Sequence, residues 1–453
     1  MTDTTETIVA LATPSGSGAI GVIRLSGPDA ITIANKVFKG KDLTIQDSHT
    51  IHFGSIADGD MVLDEVLVSL FVAPRSYTRE NVVEISCHGS NYIIESIIKL
   101  LVKKGAHNAK PGEFTLRAFL NGQLDLSQAE AVADLIASNS KASQQVALQQ
   151  LRGGFSNQLQ VLRDQLVQFA SLIELELDFA EEDVEFANRD QLKKLINDIL
   201  KVITALIQSF ELGNAIKQGI NTVIAGRPNA GKSTLLNALL NEERAIVSHI
   251  PGTTRDTIEE VLNINGINFR LIDTAGIREA TDAIEKIGVE RTMEKISQSA
   301  LLIYVYDAAQ ITPDELNTDL ENLNRPGVNI LIVANKADLL SEEIATVPHT
   351  KGAIFVSAKK KQHIEELKLK IYHAAIKDHL EGQDILVTNV RHLEALQKTE
   401  DALLRVLGGI ESITSDFLSM DIKQALHYLG EITGTVTTDD LLDNIFSKFC
   451  IGK

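Results

Sequence analysis

The sequence has few cysteines, since Cys87 and Cys450 are the only two in 453 residues. Two thiols cannot form the disulfide framework of a small secreted domain, and no spacing of cysteine and histidine suits a zinc site. A reducing compartment fits this composition. Cys450 lies at the offset of a C-a-a-X prenylation signal, but Gly452 and Lys453 depart from that signal.

A basic leader and long apolar runs are also missing. The first ten residues, MTDTTETIVA, contain no Lys or Arg, and no apolar run approaches the roughly 20 residues that span a bilayer. We therefore expect a soluble, cytoplasmic protein with no membrane partner. Lys and Arg number 43 against 61 Asp and Glu, a net charge of −18. This balance argues against non-specific nucleic-acid binding but allows a local contact with one folded RNA.

Hydrophobic periodicity predicts a multi-domain protein of α+β and α/β class. Residues 1–118 combine strand-like runs (TIVALA, AIGVIRLSG, HTIHFGSIA, VLVSLFVA and VVEIS) with the helical run NYIIESIIKLLVKKG, which predicts one α+β domain. Residues 119–213 and 381–453 have helical spacing, and the simplest arrangement joins them in one helical domain, although spacing cannot show that the two parts touch. A capping-box pattern, Ser127 to Glu130, is predicted to open the first part.

Residues 214–380 alternate strands and helices, which predicts an α/β domain inserted in the helical one. Within it, GRPNAGKST (226–234) follows the strand TVIAG and precedes the helix LLNALL. In this context the glycines let backbone N–H groups surround phosphates, Lys232 reaches the β and γ oxygens, and Ser233 binds Mg²⁺. The pattern therefore predicts a phosphate-binding loop.

Three further motifs specify the nucleotide. DTAG (273–276) places Asp273 on the Mg²⁺ side, and NKAD (335–338) gives Asp338, which can accept two hydrogen bonds from the N1–H and N2 amino edge of guanine. Adenine would leave that carboxylate unpaired. SAK (357–359) can present the Ala358 N–H to guanine O6. The predicted GTP-binding residues are Asn229, Ala230, Gly231, Lys232, Ser233, Thr234, Ser248, His249, Ile250, Pro251, Gly252, Thr253, Thr254, Asp273, Thr274, Ala275, Gly276, Asn335, Lys336, Ala337, Asp338, Ser357, Ala358 and Lys359.

The position after DTAG departs from Ras-like GTPases. It holds Ile277 instead of the glutamine that orients the attacking water. Asn229, with carbonyls of the switch segment SHIPGTTRD (248–256), could bind a monovalent cation such as K⁺, whose charge would replace an arginine finger. The residues alone favour the other interpretation of Asn229, an ordinary loop residue that bonds its own backbone. Thr254 is the natural switch ligand of Mg²⁺, beside Ser233.

Together, GRPNAGKS, GTTRD, DTAGIRE, NKAD, FLNGQLDL and the terminal CIGK make the whole chain resemble the MnmE (TrmE) family of tRNA-modification GTPases. The resemblance implies an N-terminal domain that binds tetrahydrofolate and forms a homodimer, a helical bundle domain, and a Ras-like P-loop GTPase domain inserted in it. It also implies a partnership, as a heterotetramer, with the flavoprotein MnmG. The implied product is a carboxymethylaminomethyl or aminomethyl group on C5 of the tRNA wobble uridine, with 5,10-methylenetetrahydrofolate or a related tetrahydrofolate as one-carbon donor.

The resemblance also implies roles for individual residues. The K⁺ ligands of the family fall on Asn229, Ser248, Ile250 and Thr253. Its catalytic residue with an acidic side chain falls on Glu285. Its folate-binding positions fall on Arg24, Glu84, Gln123 and Lys453, and at 123 we expect lysine in the family, so this chain departs there. From pattern alone, Glu285 reads as a solvated helix-face residue, Arg24 as a strand-edge charge and Glu84 as the polar half of a strand.

The terminal segment is predicted to form a helix that precedes a ligand-reaching tail. Residues 437–446 (TTDDLLDNIF) combine a threonine N-cap with two aspartates in the first turn. Cys450 and Gly452 follow the last apolar residue, Phe449. The thiol reads either as an inert small residue or, from the resemblance, as a group beside the folate carbon with a possible role in one-carbon chemistry.

The main competing function is that of a ribosome-assembly GTPase switch. Such proteins usually carry a basic RNA-binding module, whereas residues 381–453 contain 6 Lys and Arg against 12 Asp and Glu and no GXXG loop. A dynamin-like membrane GTPase would need a basic amphipathic surface, and none is visible in the sequence.

Overall fold

The structure is a computed structural model that describes residues 6–178, 189–240, 259–273, 293–340, 352–375, 385–410 and 415–452. The chain forms two compact units, each assembled from segments distant in sequence. Unit 1 comprises Met1–Ile136, Leu148–Lys201 and Glu394–Lys453, and unit 2 comprises Ala137–Ala147 and Val202–Leu393.

The described strands and helices follow one another along both units. The strands are β1 (Ile8–Leu11), β2 (Ile20–Ser26), β3 (Phe38–Lys39), β4 (Thr50–Asp58), β5 (Met61–Phe71), β6 (Val82–His88), β7 (His107–Asn108), β8 (Ile220–Ala225), β9 (Glu259–Ile264), β10 (Ile267–Asp273), β11 (Leu301–Asp307), β12 (Asn329–Asn335) and β13 (Ile354–Phe355). The helices are α1 (Ala30–Val37), α2 (Asn91–Lys103), α3 (Glu113–Leu120), α4 (Leu126–Ala137), α5 (Lys141–Leu151), α6 (Gly154–Asp178), α7 (Arg189–Gln208), α8 (Phe210–Gln218), α9 (Lys232–Leu240), α10 (293–297), α11 (Pro313–Leu323), α12 (Ile364–Ala375), α13 (Val390–Gly409), α14 (Ser415–Thr433) and α15 (Asp439–Phe446).

The first seven strands form one sheet in the order β3-β4-β5-β6-β2-β1-β7. Helices α1 and α2 cover one of its faces, against Ile23 and Leu25 of β2 and Ile85 of β6. Because successive side chains of a strand point to opposite faces, Arg24 and Glu84 lie on the other face. The predicted strands and the helix of the first domain are thus confirmed.

The start of α4 differs from the prediction. The helix begins at Leu126, and its cap is Asp125, whose Oδ1 accepts the Gln128 N–H at 2.9 Å while Gln128 Oε1 accepts the Asp125 N–H at 2.9 Å. The reciprocal pair is the geometry of a capping box two residues earlier than the predicted one. Ser127 instead lies inside the first turn and donates to Asp125 Oδ1 at 2.8 Å. The prediction of a Ser127–Glu130 box was therefore wrong, because an aspartate with a glutamine three residues later caps equally well.

The helices of unit 1 join both predicted parts of the helical domain. Helix α14 packs along α6, and Lys423 Nζ lies 2.6 Å from Glu174 Oε1. The two parts therefore touch, which sequence spacing left open.

The last helix, α15, lies against α3 and α4. Thr438 caps α15 by accepting the Leu441 N–H at 3.3 Å, which confirms the predicted helix and its cap. Leu442 and Phe446 are buried in a cluster with Leu116 and Leu126. This packing fixes the point from which the tail leaves the helix.

Unit 2 contains a six-stranded sheet in the order β13-β12-β11-β8-β10-β9, parallel except for β9 against β10. Ile224 and Val333 face the layer that contains α9 and α12, whereas Val223 and Leu302 face the cluster that includes Ile296 of α10. Helices on both faces of a mainly parallel sheet define an α/β fold, as predicted. In such a sheet, ligands bind at the carboxyl ends of the strands.

One stretch, Arg189–Gln218, is long and apolar enough to cross a membrane by length and composition, although it is not one uninterrupted apolar run. Leu192, Ile196, Ile199 and Ile203 within it are buried and recur every three to four residues. This is the pattern of an amphipathic helix packed on a core. Core helices of soluble proteins pass the same test, so the stretch is weak evidence for a span.

Candidate functional site

The phosphate-binding loop connects β8 to α9 and requires unusual backbone conformations. A side chain at Gly226 would place its Cβ 1.9 Å from the Val305 carbonyl oxygen, so only glycine fits there. Asn229 adopts a left-handed φ of 62°, which asparagine tolerates better than most residues. Lys232 Nζ donates to the carbonyl oxygens of Gly226 and Arg227, at 3.0 Å each. The loop therefore curls around the lysine at the N-terminus of α9, the geometry of an anion site.

Asn229 and Ser233 are both exposed. Within the described residues, the Asn229 side chain makes no hydrogen bond, so the structure does not show the backbone-bonded alternative considered above. Asn229 and Ser233 are the two predicted ion ligands that lie within the described residues. The other predicted ligands of K⁺ and Mg²⁺ lie outside the described residues.

Asn335 connects the phosphate-binding loop to the SAK segment. It is 2% exposed; its Nδ2 donates to the Ala230 carbonyl oxygen at 2.9 Å, and its Oδ1 accepts the Ala358 N–H at 3.1 Å. The Ala358 N–H is thus engaged in a protein hydrogen bond, and donation to guanine O6 would require that bond to be shared or exchanged. This hydrogen bond brings the motifs NKAD and SAK together at one edge of the sheet.

Asp338 carries the guanine-binding carboxylate predicted from NKAD. Ser357 Oγ donates to its Oδ1 at 2.7 Å, and this hydrogen bond lowers the carboxyl pKa below its usual value. Lys336 has a left-handed φ of 63° and its Nζ lies 2.7 Å from Asp307 Oδ2. Asp338 is therefore held as an ionised acceptor at the end of β12.

A second charged cluster, which sequence reasoning missed, anchors the phosphate-binding loop. Arg227 Nε donates to Asp319 Oδ2 at 2.7 Å and Nη1 to Glu315 Oε1 at 2.5 Å, both on α11. The Tyr304 hydroxyl on β11 also bonds the Asp319 carboxylate. The Thr312 backbone N–H and the Arg227 guanidinium lower the pKa of Glu315 to about 2. Arg227 follows Gly226 in the motif, but its partners lie about 90 residues away, so no local pattern reveals them.

The second predicted site lies in unit 1, at Arg24. Arg24 and Glu84 are paired across β2 and β6, and Arg24 Nη2 lies 2.8 Å from Glu84 Oε1. The Arg24 guanidinium carbon lies 5.6 Å from the Tyr77 ring centroid and 5.8 Å from that of Phe114. The two charged side chains retain 21% and 27% exposure, so the pair is reachable by a ligand.

The carboxy-terminal tail docks on the same arginine. Arg24 Nη1 donates to the Gly452 carbonyl oxygen at 3.3 Å, and the Gly112 N–H donates to the Cys450 carbonyl oxygen at 3.3 Å. Gly452 is buried at a φ of 94°, and a Cβ there would lie 2.1 Å from the Leu11 carbonyl oxygen. Cys450 itself is exposed. The structure thus brings Arg24, Glu84 and the tail together.

Several predicted residues stand apart from these contacts. Gln123 bonds Arg79 rather than Arg24. Backbone pairing places Asp273 at the end of β10, opposite Ile224 of β8. The remaining predicted residues lie outside the described part of the chain: Ser248, His249, Ile250, Pro251, Gly252, Thr253, Thr254, Thr274, Ala275, Gly276, Ile277, Glu285 and Lys453. Among the described residues, no group of three or more His, Cys, Asp and Glu could hold a metal ion.

Comparison with known proteins identifies the family. The chain matches the model described as the MnmE helical domain over residues 126–450 and that of the GTP-binding protein TrmE N-terminus over residues 7–123. The tRNA modification GTPase MnmE of Cytophaga hutchinsonii is 58% identical to this chain, and the alignment covers 100% of this chain and 99% of the relative. Those of Christiangramia forsetii and Flavobacterium psychrophilum are 53% and 55% identical, each covering 99% of both chains. The resemblance inferred from the motifs is confirmed, and the chain belongs to the MnmE family of tRNA-modification GTPases.

Proposed function

We propose that this protein is a cytoplasmic, K⁺-dependent GTPase that works with MnmG to modify C5 of the tRNA wobble uridine, using a one-carbon unit carried by tetrahydrofolate. The product is a carboxymethylaminomethyl or aminomethyl group. The observation that carries the proposal is the docking of the tail: the Arg24 guanidinium contacts both Glu84 and Gly452, two residues from Cys450. The tail that carries the exposed Cys450 therefore docks on a partly exposed ion pair.

The GTPase part rests on the loop that curls around Lys232. Its ammonium, now bonded to two carbonyl oxygens, is the group that would neutralise the β and γ phosphates, and Ser233 with Thr254 would hold Mg²⁺. Asp338 would select guanine. We further propose that K⁺ binds Asn229, Ser248, Ile250 and Thr253, supplying positive charge in place of an arginine finger.

Water activation is assigned to Glu285 in this proposal. Ile277 cannot orient water, and a carboxylate can do so directly or through a second water. Glu285→Ala should lower kcat while GTP affinity stays near the wild-type value, because the proposed role of this residue is to position the water and not to bind the nucleotide. A parallel loss of affinity would assign it a binding or folding role instead.

The Arg24 site fits the chemistry of a tetrahydrofolate. A pterin ring has adjacent N–H groups that can donate hydrogen bonds to a carboxylate such as Glu84, and Tyr77 and Phe114 provide aromatic surface. When bound, the folate supplies a one-carbon unit at an oxidation level suited to addition at a uridine C5. The role of the protein would be to orient the pterin ring with Arg24 and Glu84 and to cover the ring with the C-terminal tail, including Lys453.

An exposed apolar surface supports a homodimer formed through the N-terminal domain. Phe53 of β4 and Leu67 of β5 lie opposite each other in the sheet and are 68% and 47% exposed, and Ile51 is 66% exposed. Contiguous apolar surface of this kind usually marks a protein interface. MnmG would bind the assembled dimer to give a heterotetramer, with tRNA as the macromolecular substrate.

The proposal is tested by nucleoside analysis of tRNA from cells that lack the protein. We expect loss of the C5 modification at the wobble uridine, with recovery on complementation by the wild type but not by Lys232→Ala or Arg24→Gln. Unchanged wobble nucleosides in the deletion strain would refute the proposal. If Arg24→Gln restores the modification and Lys232→Ala does not, the folate site is refuted and the GTPase role stands.

A further inference from the structure

Arg79 adopts a backbone conformation that its residue type disfavours. Its φ is 61°, in the left-handed region, where a non-glycine residue costs roughly 1 kcal/mol. Its side chain is exposed, so no core packing accounts for this conformation. A strained and exposed charged residue points to a role for its side chain.

The Arg79 guanidinium is held by two neutral acceptors. Its Nε donates to Gln123 Oε1 at 3.1 Å, and its Nη1 donates to the Asn121 carbonyl oxygen at 3.1 Å. Gly122 between these acceptors has a φ of 68°, and a Cβ there would lie 3.7 Å from Nη1. The loop between α3 and α4 thus fits closely around the guanidinium.

No carboxylate neutralises Arg79 among the residues that the structure describes. The adjacent acidic residue, Glu80, pairs with other side chains. Its carboxylate accepts hydrogen bonds from Ser26 Oγ at 2.6 Å and from the buried Arg117 Nη1 at 3.3 Å. A guanidinium has five N–H donors, and the two bonds to Gln123 and Asn121 leave others for a ligand. Arg79 is therefore an oriented positive charge without a protein counter-ion in this region.

A short segment joins Arg79 to the Arg24 site. Tyr77 packs against the Arg24 guanidinium, and Thr78 Oγ1 bonds Ser26 Oγ at 2.6 Å, two residues from Arg24 on β2. The Asn121 Nδ2 donates to the Thr78 carbonyl oxygen at 2.7 Å. Two residues span about 7 Å of extended chain. Residues 77–79 therefore run from the proposed pterin-binding arginine to Gln123.

We propose that Arg79, oriented by Gln123, binds the glutamate carboxylates of the tetrahydrofolate. This inference rests on the proposed folate function and deepens it, because it assigns a residue of the protein to the anionic tail of the folate. Gln123 is neutral and cannot itself pair with a carboxylate, whereas a guanidinium matches carboxylate geometry through two parallel N–H donors. The positive charge expected at position 123 is supplied in this chain by residue 79.

The test compares two probes on the full-length protein by isothermal titration calorimetry. One probe is 5-formyltetrahydrofolate, and the other is a 6-methyltetrahydropterin, which lacks the glutamate. We expect Arg79→Gln to weaken binding of the folate roughly tenfold, as for loss of a charge-assisted hydrogen bond, and to leave binding of the pterin unchanged. Added salt should weaken folate binding less in the variant than in the wild type.

Control variants make the outcome specific. Arg75→Gln removes an exposed arginine four residues away and should change neither affinity. Gln123→Lys placed on Arg79→Gln should restore folate affinity, because it returns a positive charge to the same loop. Arg79→Lys should retain part of the folate affinity, because it keeps the positive charge. Unchanged pterin binding by Arg79→Gln would show that this variant is folded.

The results also separate this inference from the proposed function. Wild-type folate affinity in Arg79→Gln, with lost affinity in Arg24→Gln, would overturn the role of Arg79 and leave the folate site standing. An equal loss of both probes in Arg79→Gln would also overturn it, since the tail would not be the group recognised. If the wild-type protein binds neither probe, the folate site and this inference both fail.

Discussion

Asn335 holds Ala230 of the phosphate-binding loop: the Asn335 Nδ2 donates to the Ala230 carbonyl oxygen at 2.9 Å, inside the protein. The other end of the same amide accepts the Ala358 N–H at 3.1 Å. One buried side chain therefore sets the spacing between the phosphate and guanine halves of the site.

Asn335→Ala should therefore weaken GTP binding more than a substitution that removes an exposed side-chain group. It leaves two buried backbone groups without partners, each at a cost of about 1 to 3 kcal/mol. We expect the affinities for GDP and GTP to fall together by at least roughly tenfold, as measured by fluorescence titration with labelled nucleotides. Thr318→Ala, an exposed hydroxyl on α11, is the control, and equal effects of the two variants would contradict this assignment.

Arg227 is predicted to position the phosphate-binding loop without contacting nucleotide. Its guanidinium joins the loop to Glu315 and Asp319, and a lysine cannot reproduce that two-pronged geometry. Arg227→Lys should therefore weaken GDP and GTP binding about two- to fivefold. The kcat at saturating GTP should change less, since the reacting groups remain.

The comparison for Arg227 is Arg405→Lys, which alters a surface ion pair with Asp421 in the other unit. It should leave nucleotide affinity unchanged. A fall in kcat at constant affinity in Arg227→Lys would instead place Arg227 in the chemical step and refute the positioning role.

Potassium dependence is the third prediction. With Ile277 in place of a water-orienting glutamine, hydrolysis should be fast in K⁺ and slow in Na⁺, and Asn229→Ala should abolish the difference. Ordering of the switch by K⁺ should also promote pairing of GTPase domains, which sedimentation in the two salts would detect. Equal rates in Na⁺ and K⁺, or a K⁺ dependence that survives Asn229→Ala, would contradict the cation site.

Two glycine-to-alanine variants test whether the docked tail is needed for tRNA modification. Gly452→Ala should displace the tail, because the new Cβ would overlap the Leu11 carbonyl oxygen at 2.1 Å. Gly59→Ala is the matched control in the same domain: Gly59 also has positive φ, 65°, but nothing lies within 4 Å of its Cβ position. We expect Gly452→Ala to abolish wobble modification with basal GTP hydrolysis and melting temperature near wild type, and Gly59→Ala to retain modification.

Deleting residues 450–453 should reproduce the effect of Gly452→Ala, and Cys450→Ser should have a milder effect. Normal modification in the deletion variant would exclude a role for the tail. A matching loss of thermal stability would reduce the tail to a structural cap.

Local patterns predicted much of this fold. Alternating strands, the phosphate-binding loop between β8 and α9, and the Thr438 cap each depend on residues adjacent in sequence, so the sequence reveals them. The capping box of α4 shows the limit of such patterns, because Asp125 and Ser127 offer competing caps and only the folded backbone selects one.

Contacts between distant segments could not be predicted from local patterns. Arg227 reaches α11, Arg79 reaches Gln123, and Gly452 reaches Arg24, and each pair joins residues at least 40 positions apart. Such pairs arise from chain topology and have no local sequence signature. The resemblance to the family supplied Arg24 and Glu84, but it could not supply Arg79, because position 123 is where this chain departs.

The most direct test of the proposed function traces the methylene carbon of tetrahydrofolate into the wobble uridine. Purified protein, MnmG, unmodified tRNA, GTP, Mg²⁺, K⁺ and an amine (ammonium for the aminomethyl product, glycine for the carboxymethylaminomethyl product) are incubated with tetrahydrofolate carrying a ¹³C-labelled methylene. The wobble nucleoside is then analysed by mass spectrometry. The account predicts ¹³C in the C5 substituent with the wild type and none with Arg24→Gln or with residues 450–453 deleted. A modified uridine formed without the label, or label transfer that survives Arg24→Gln, would contradict it.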